Sequence, residues 1–283
     1  MLDGGLFDDL PATLAQQGIG GRPLFLEAGD AAAVASGPFL VPLGTPRQAE
    51  ALLSLLGAGR TPVIWSWARG EAALYRHLRT LNLVDVPVEQ DIDDDDEPDQ
   101  DERPAPRRRS VIFRHWDPNV LAQVQPLLDP VQKARLLGDA SGLAYLPEAS
   151  ATREPRIGWL TSDGAAKPPG MLAFSEMQFA ALTDTRIQES RHNIMAYLRD
   201  SAAEDLAEVS DAELYAMVVQ AEASGNVIGL RSEHAHGLWA FLHVITGGES
   251  SQSREIRQHF YKAAEEPELV LQQVLDAVLA ELS

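Results

Sequence analysis

The sequence predicts an α+β protein, with an N-terminal mixed α/β lobe around a central sheet and an all-helical C-terminal lobe. Short β-branched and aromatic runs alternate with amphipathic stretches over residues 1–165. From residue 175 onward, apolar residues recur almost only at the three- and four-residue spacing of helices. The length of 283 residues also exceeds a typical single domain of about 100–200 residues. We therefore expect an α/β domain over 1–165, a linker at 162–170 and a helical lobe over 171–283.

The N-terminal lobe combines seven short strand candidates with four helix candidates, which indicates a mixed sheet. The strands are predicted at 23–27, 38–43, 62–67, 83–88, 110–116, 142–146 and 156–161. The helices are predicted at 46–56, 70–82, 117–128 and 130–137. Asp117 fits the N-cap of the third helix and Pro118 its first position, where a missing N–H costs nothing.

Five helices are predicted in the C-terminal lobe, at 175–199, 210–224, 232–246, 252–265 and 267–282. Ser175 with Gln178, and Ser210 with Glu213, have the spacing of a capping box.

The chain carries a net charge of −19 and contains no cysteine. This charge excludes the basic surface of a nucleic-acid-binding protein and a polybasic membrane patch. Without cysteine there is no disulfide, thiolate metal site or cysteine nucleophile. The acidic N-terminus and the absence of about 18 continuous apolar residues lead us to expect a cytoplasmic protein.

An acidic segment separates two of the predicted strands. Residues 89–102 carry ten acidic residues, and three arginines follow at 107–109. Unpaired carboxylates are too costly to bury, so we expect a disordered loop over 89–109. Its acidic spacing resembles a calcium loop, but Asp96 stands where the turn requires glycine and Pro98 disrupts the pattern, so no metal site is assigned.

The sequence contains no nucleophile elbow, P-loop or dinucleotide-binding glycine motif. His234, His236 and His243 lack the four-residue spacing of zinc ligands on a helix. His115 and Asp117 have no accompanying serine motif. We assign no catalytic, cofactor-binding or metal-binding residue, although a hydrolase that uses one of these groups is kept as an alternative.

The segment SVIFRHWDPNVLAQVQPLL at 110–128 predicts a strand, a turn and a capped helix. Strand alternation places Phe113 inward and Arg114 outward. Arg114 and Asp117 are close enough along the chain to form a charge-assisted pair across the turn.

This segment resembles the F-R-[FY]-[WY]-D-P-R-V-L signature of the effector adaptor-chaperones of type VI secretion systems. Phe113, Arg114, Trp116, Asp117 and Pro118 match that signature, whereas Asn119 stands in place of its arginine. Three further motifs follow the family's order: LDGG at 2–5, GPFLVPL at 37–43, and HLRTLNLV at 77–84, which includes His77 and Arg79.

The resemblance implies a non-enzymatic adaptor that binds a toxic effector and loads it onto the VgrG spike. It also implies that the α/β lobe is a shared scaffold stabilised by Arg114 and Asp117, while the helical lobe selects the effector. An alternative, suggested by the acidic composition, is an immunity or regulatory protein that masks a basic toxin.

Overall fold

The computed structural model describes residues 1–25, 31–56, 60–88, 107–150, 153–164, 167–248, 253–262 and 266–282. Its elements confirm an α+β protein with small sheets in the N-terminal half and helices in the C-terminal half. The chain divides into two compact units: the α/β unit (1–149 and 154–183) and the helical unit (150–153 and 184–283). The division lies within a long helix, whereas the predicted boundary at 165–170 stays a prediction.

The described strands of the α/β unit form three three-stranded sheets rather than one central sheet. These nine strands are β1 Leu2–Asp3, β2 Arg22–Pro23, β3 Pro38–Leu40, β4 Ile64–Trp67, β5 Leu83–Pro87, β6 Arg108–Ile112, β7 Ala140–Tyr145, β8 Gly158–Thr161 and β9 Leu172–Ala173. The sheet orders are β1-β3-β2, β4-β7-β8 and β6-β5-β9, and among these strands only β5 and β9 pair in parallel.

Two sequence predictions for this unit need correction. The strand predicted at 110–116 is β6, which begins earlier, at Arg108, and ends at Ile112. Arg108 and Arg109 therefore pair with β5 and do not belong to the loop predicted at 89–109. Residues 89–106 of that predicted loop lie outside the described residues.

The predicted helices occur in the predicted order, and two further helices, α1 Leu10–Gln16 and α2 Ala31–Ala35, precede them. The others in the α/β unit are α3 Pro46–Leu55, α4 Glu71–Arg79, α5 Pro118–Val124 and α6 Pro130–Leu137. The helices that follow are α7 Glu176–Ser201, α8 Asp211–Val227, α9 Glu233–Ile245, α10 Arg254–Lys262 and α11 Pro267–Leu282. Asp117 caps α5 with Pro118 at its first position, as predicted, and a 3-10 turn at Gln125–Leu127 extends it.

Each unit has its own apolar core. In the α/β unit, the core lies between the sheets and helices α4, α5 and α6, and includes Phe113 and Trp116. A smaller cluster joins β1 and β3 to α1 and α3. The core of the helical unit surrounds Trp239, which is fully buried. None of the described helices is long and apolar enough to span a membrane.

Local polar contacts connect the helices of the helical unit. Ser210 and Glu213 form the predicted capping box at the start of α8. Arg199 at the end of α7 donates hydrogen bonds to the carbonyl groups of Leu206 and Val209 and to the carboxylate of Asp211. These contacts close the turn between α7 and α8 and satisfy two backbone carbonyl groups of that connection.

Candidate functional site

The four sequence motifs meet around one surface pocket of the α/β unit. The pocket has a volume of about 700 Å³ and lies beside the ends of β1, α4 and β6. Its lining residues are Asp3, Gly5, Leu6, Leu24, Phe25, Ala33, Ser36, Gly37, Arg79, Asn82, Ile112, Arg114 and Trp116. The LDGG motif contributes Asp3 and Gly5, and the GPFLVPL motif contributes Gly37. The HLRTLNLV motif contributes Arg79 and Asn82, and the segment at 110–128 contributes Ile112, Arg114 and Trp116.

Arg114 connects two of these motifs. Its Nη2 donates to Asp3 Oδ2 at 2.9 Å and lies 3.2 Å from Asp117 Oδ2. The pair with Asp117 across the turn is the one that the sequence predicts. The pair with Asp3 joins positions 111 residues apart, and only the LDGG motif pointed to that residue.

The two carboxylates are also held by the backbone. Asp3 Oδ1 accepts from the N–H of Gly5, and Asp117 Oδ1 accepts from the N–H of Asn119. Every oxygen of both carboxylates therefore already has a donor. Charge-assisted bonds of this kind are about twice as strong as neutral ones, so they fix the turn at the edge of the pocket.

Aromatic and apolar side chains form the pocket wall. Trp116 is only 4% exposed and its ring stands edge-on to that of Phe25, with centroids 5.4 Å apart. Leu6 and Ile112 lie at the rim and are 44% and 64% exposed. The wall thus offers apolar contact area on both sides of the polar groups.

The remaining motif residues serve the scaffold. Phe113 is buried in the core, as strand alternation predicted, and Pro118 is buried at the start of α5. His77 does not line the pocket. Its Nε2–H donates to the carbonyl of Leu136, so Nδ1 accepts from Nζ of Lys167.

The surroundings of His77 keep it neutral. Burial lowers the pKa of His77 to about 4 and also lowers the pKa of Lys167. The imidazole ring stacks on Trp67, with centroids 5.5 Å apart. Gly138 closes the site from the end of α6, since a Cβ there would lie 2.6 Å from the ring. His77 therefore links β4, α4 and α6.

The side chains considered for hydrolysis have separate partners. His115 is fully buried, burial lowers its pKa to about 3, and its Nε2–H donates to Asn82 Oδ1. Asp117 is held by Arg114 and by the backbone instead. On α9, His236 and His243 are buried whereas His234 is exposed. Within the described ranges, no group of three or more potential ligands is placed to hold a metal ion.

No curated protein and no solved structure matches the chain. A family model does match its N-terminal part, over residues 1–135. All four motifs and every residue that lines the pocket lie within this range. Residues 1–135 are therefore similar to the family described as "Domain of unknown function (DUF4123)".

Proposed function

We propose that this protein is an adaptor that binds a type VI secretion effector and promotes its loading onto the VgrG spike. The observation that carries the proposal is the meeting of four separate sequence motifs around one surface pocket. Those motifs resemble the adaptor family, and the domain matched over residues 1–135 is known in type VI secretion effector adaptors.

The chemistry of the pocket favours binding over catalysis. Its titratable lining residues are Asp3, Arg79 and Arg114. A general base must reach the proton that it abstracts from substrate. Asp3 is ion-paired with Arg114 and hydrogen-bonded to the N–H of Gly5, and the two arginines cannot release a proton in this role. We therefore assign this surface to the recognition of another polypeptide.

The helical unit supports the selection of an effector. Its residues, 150–153 and 184–283, include 17 acidic and eight basic residues. An acidic helical surface attracts a basic partner and increases the rate at which the two proteins meet. We assign effector choice to this unit and the shared scaffold role to the α/β unit.

Co-expression tests the proposal. The full chain is produced together with each toxin and each spike protein encoded beside its gene, and the products are separated by size-exclusion chromatography. We expect one toxin to co-elute with the chain and the spike protein to join that complex. A toxin from an unrelated secretion cluster is the matched control. If no neighbouring toxin or spike protein co-elutes, the proposal is wrong.

The acidic composition also favours a second function, the masking of a basic toxin by an immunity or regulatory protein. The two functions differ in what happens to the bound toxin. An immunity protein inhibits toxin activity directly, and its binding weakens steeply as salt screens the exposed charges. An adaptor leaves the toxin active and additionally binds the spike. Assaying toxin activity with and without the chain separates them.

A further inference from the structure

We propose that the Arg79 pocket, defined by the lining residues given above, binds an acidic side chain within an apolar segment of a partner polypeptide. This inference rests on the proposed function, because it states which chemistry the α/β unit of an adaptor recognises. It follows from three properties of the pocket: its occupied acceptors, its free donors and its exposed apolar rim.

The two carboxylates beside the pocket are already paired. Asp3 and Asp117 each accept one hydrogen bond from the backbone and form an ion pair with Arg114. A cationic partner group would have to compete with these bonds. The carboxylates therefore neutralise Arg114 and offer little to a lysine or arginine of a partner.

The hydrogen-bond donors of the pocket, by contrast, largely lack acceptors among the described residues. Arg79 is exposed at the end of α4, and its guanidinium has no hydrogen bond or ion pair with any described residue. Arg114 uses only Nη2 in its two ion pairs and leaves its other N–H groups available in the described part of the chain. The buried Nε1–H of Trp116 also lacks an acceptor there. A guanidinium presents its N–H groups in a planar fork that matches a carboxylate.

Apolar side chains continue from the pocket onto β5 and β6. Ile112 at the rim is directly opposite Leu83 in the neighbouring strand, and both side chains are exposed on the same face. Leu6 is exposed on the rim as well. An apolar surface next to the unpaired guanidinium of Arg79 fits a segment in which a carboxylate is flanked by apolar residues.

The course of this surface favours a side-chain carboxylate over a chain terminus. The apolar area extends past Arg79 to Ile112 and Leu83, so a chain that crosses the pocket and continues can bury more of it than a chain that ends there. β6 is also the edge strand of its sheet among the described residues, which leaves backbone groups for an extended segment to pair with.

A peptide selection tests this inference. The full-length chain is used to select from a library of 12-residue segments displayed at the N-terminus of a phage coat protein, where no segment has a free carboxyl terminus. We expect the enriched segments to carry Asp or Glu beside aliphatic or aromatic residues. The consensus peptide, amidated at its C-terminus, is then titrated by fluorescence anisotropy.

Two variants make the test specific. Arg79→Glu should raise the Kd of the consensus peptide by about tenfold or more, because a charged hydrogen bond is lost and like charges meet. A peptide with Lys in place of its acidic residue should bind Arg79→Glu better than the original chain. Arg76→Glu is the matched control, since Arg76 is exposed on the same helix but does not line the pocket. It should change the Kd by less than about twofold at physiological salt.

Several results would overturn the pocket's assignment: no enrichment, enriched segments without acids, equal effects of the two variants, or binding that requires a free terminal carboxylate. These results can be distinguished from results that would contradict the proposed adaptor function. If a toxin or spike protein co-elutes and Arg79→Glu leaves peptide binding unchanged, only the pocket assignment fails. If nothing co-elutes, the adaptor function fails whatever the peptides do.

Discussion

The two units of this protein use polar side chains in different ways. In the α/β unit, polar contacts join distant segments: Arg114 reaches Asp3, and His77 reaches the carbonyl of Leu136, 59 residues away. In the helical unit, Arg191 on α7 reaches Glu222 on α8, 31 residues ahead, and Arg199 reaches positions only seven to twelve residues ahead. The contacts of the α/β unit thus join segments that are farther apart along the chain, whereas those of Arg199 stabilise a single turn.

This difference indicates how the units can vary. A contact between distant segments is lost when either side changes, so the pocket depends on several positions at once. Helix ends closed by local contacts leave the exposed helix faces free to change without loss of the fold. Under the proposed function, the helical unit is thus the part better suited to a partner that differs from one adaptor to another.

The largest effect is expected from truncating the aromatic wall of the pocket. Trp116→Ala removes a ring that is buried against Phe25 and should lower the free energy of unfolding of the α/β unit by about 3–5 kcal/mol. Trp159→Ala on β8 is the control. Because that side chain is 66% exposed, its loss should change stability by no more than about 0.5 kcal/mol. Urea denaturation followed by circular dichroism measures both, and similar losses would contradict the assignment of Trp116 to the core.

Local sequence signals were sufficient for much of the fold. Helix α6 at Pro130–Leu137 has the predicted bounds, because Asp129 caps it, Pro130 opens it and Gly138 follows it. The α11 bounds agree with the apolar periodicity of residues 267–282. In both cases the signals that define the helix lie within it or directly beside it.

The strand partners and the pocket depend on tertiary contacts, which periodicity does not encode. Strand β9 has only two residues, Leu172 and Ala173, which pair with β5. A strand this short has no apolar alternation from which the sequence could predict it. The run 107–109 resembles part of a charged loop, yet Arg108 lies in β6, where it bonds to Asp85 and the carbonyl of Phe174. Likewise, Arg79 and Arg114 were singled out by resemblance, but only the fold places them in one pocket.

A second expected effect concerns the pH dependence of stability that the buried, neutral His77 gives to the α/β unit. Burial holds the pKa of His77 near 4, below the value of about 6.5 in an unfolded chain. As pH falls below 6.5, the unfolded state gains a proton that the folded state does not. This contribution to stability is complete above pH 6.5 and is lost as pH approaches 4. Between pH 7 and pH 5 the loss amounts to about 2 kcal/mol.

His77→Gln tests this directly, because glutamine keeps a donor for Leu136 and an acceptor for Lys167 but does not titrate. The variant should lose about 2 kcal/mol less than the original chain between pH 7 and pH 5, as measured by urea denaturation at both values. An unaltered pH dependence in His77→Gln would show that this histidine binds as many protons in the folded state as in the unfolded state, so that folding does not lower its pKa.

The smallest effect is expected in the helical unit, where a local contact can be removed without disturbing distant segments. Ser210→Ala deletes the hydroxyl that accepts from the N–H of Glu213 and should cost about 1 kcal/mol. Ser210→Thr keeps an accepting oxygen and should cost less. Hydrogen exchange should accelerate in the first turn of α8 and remain unchanged in the core around Trp239. Faster exchange throughout that core would mean that the capping box stabilises the whole unit, and the contrast between local and long-range polar contacts would then be wrong.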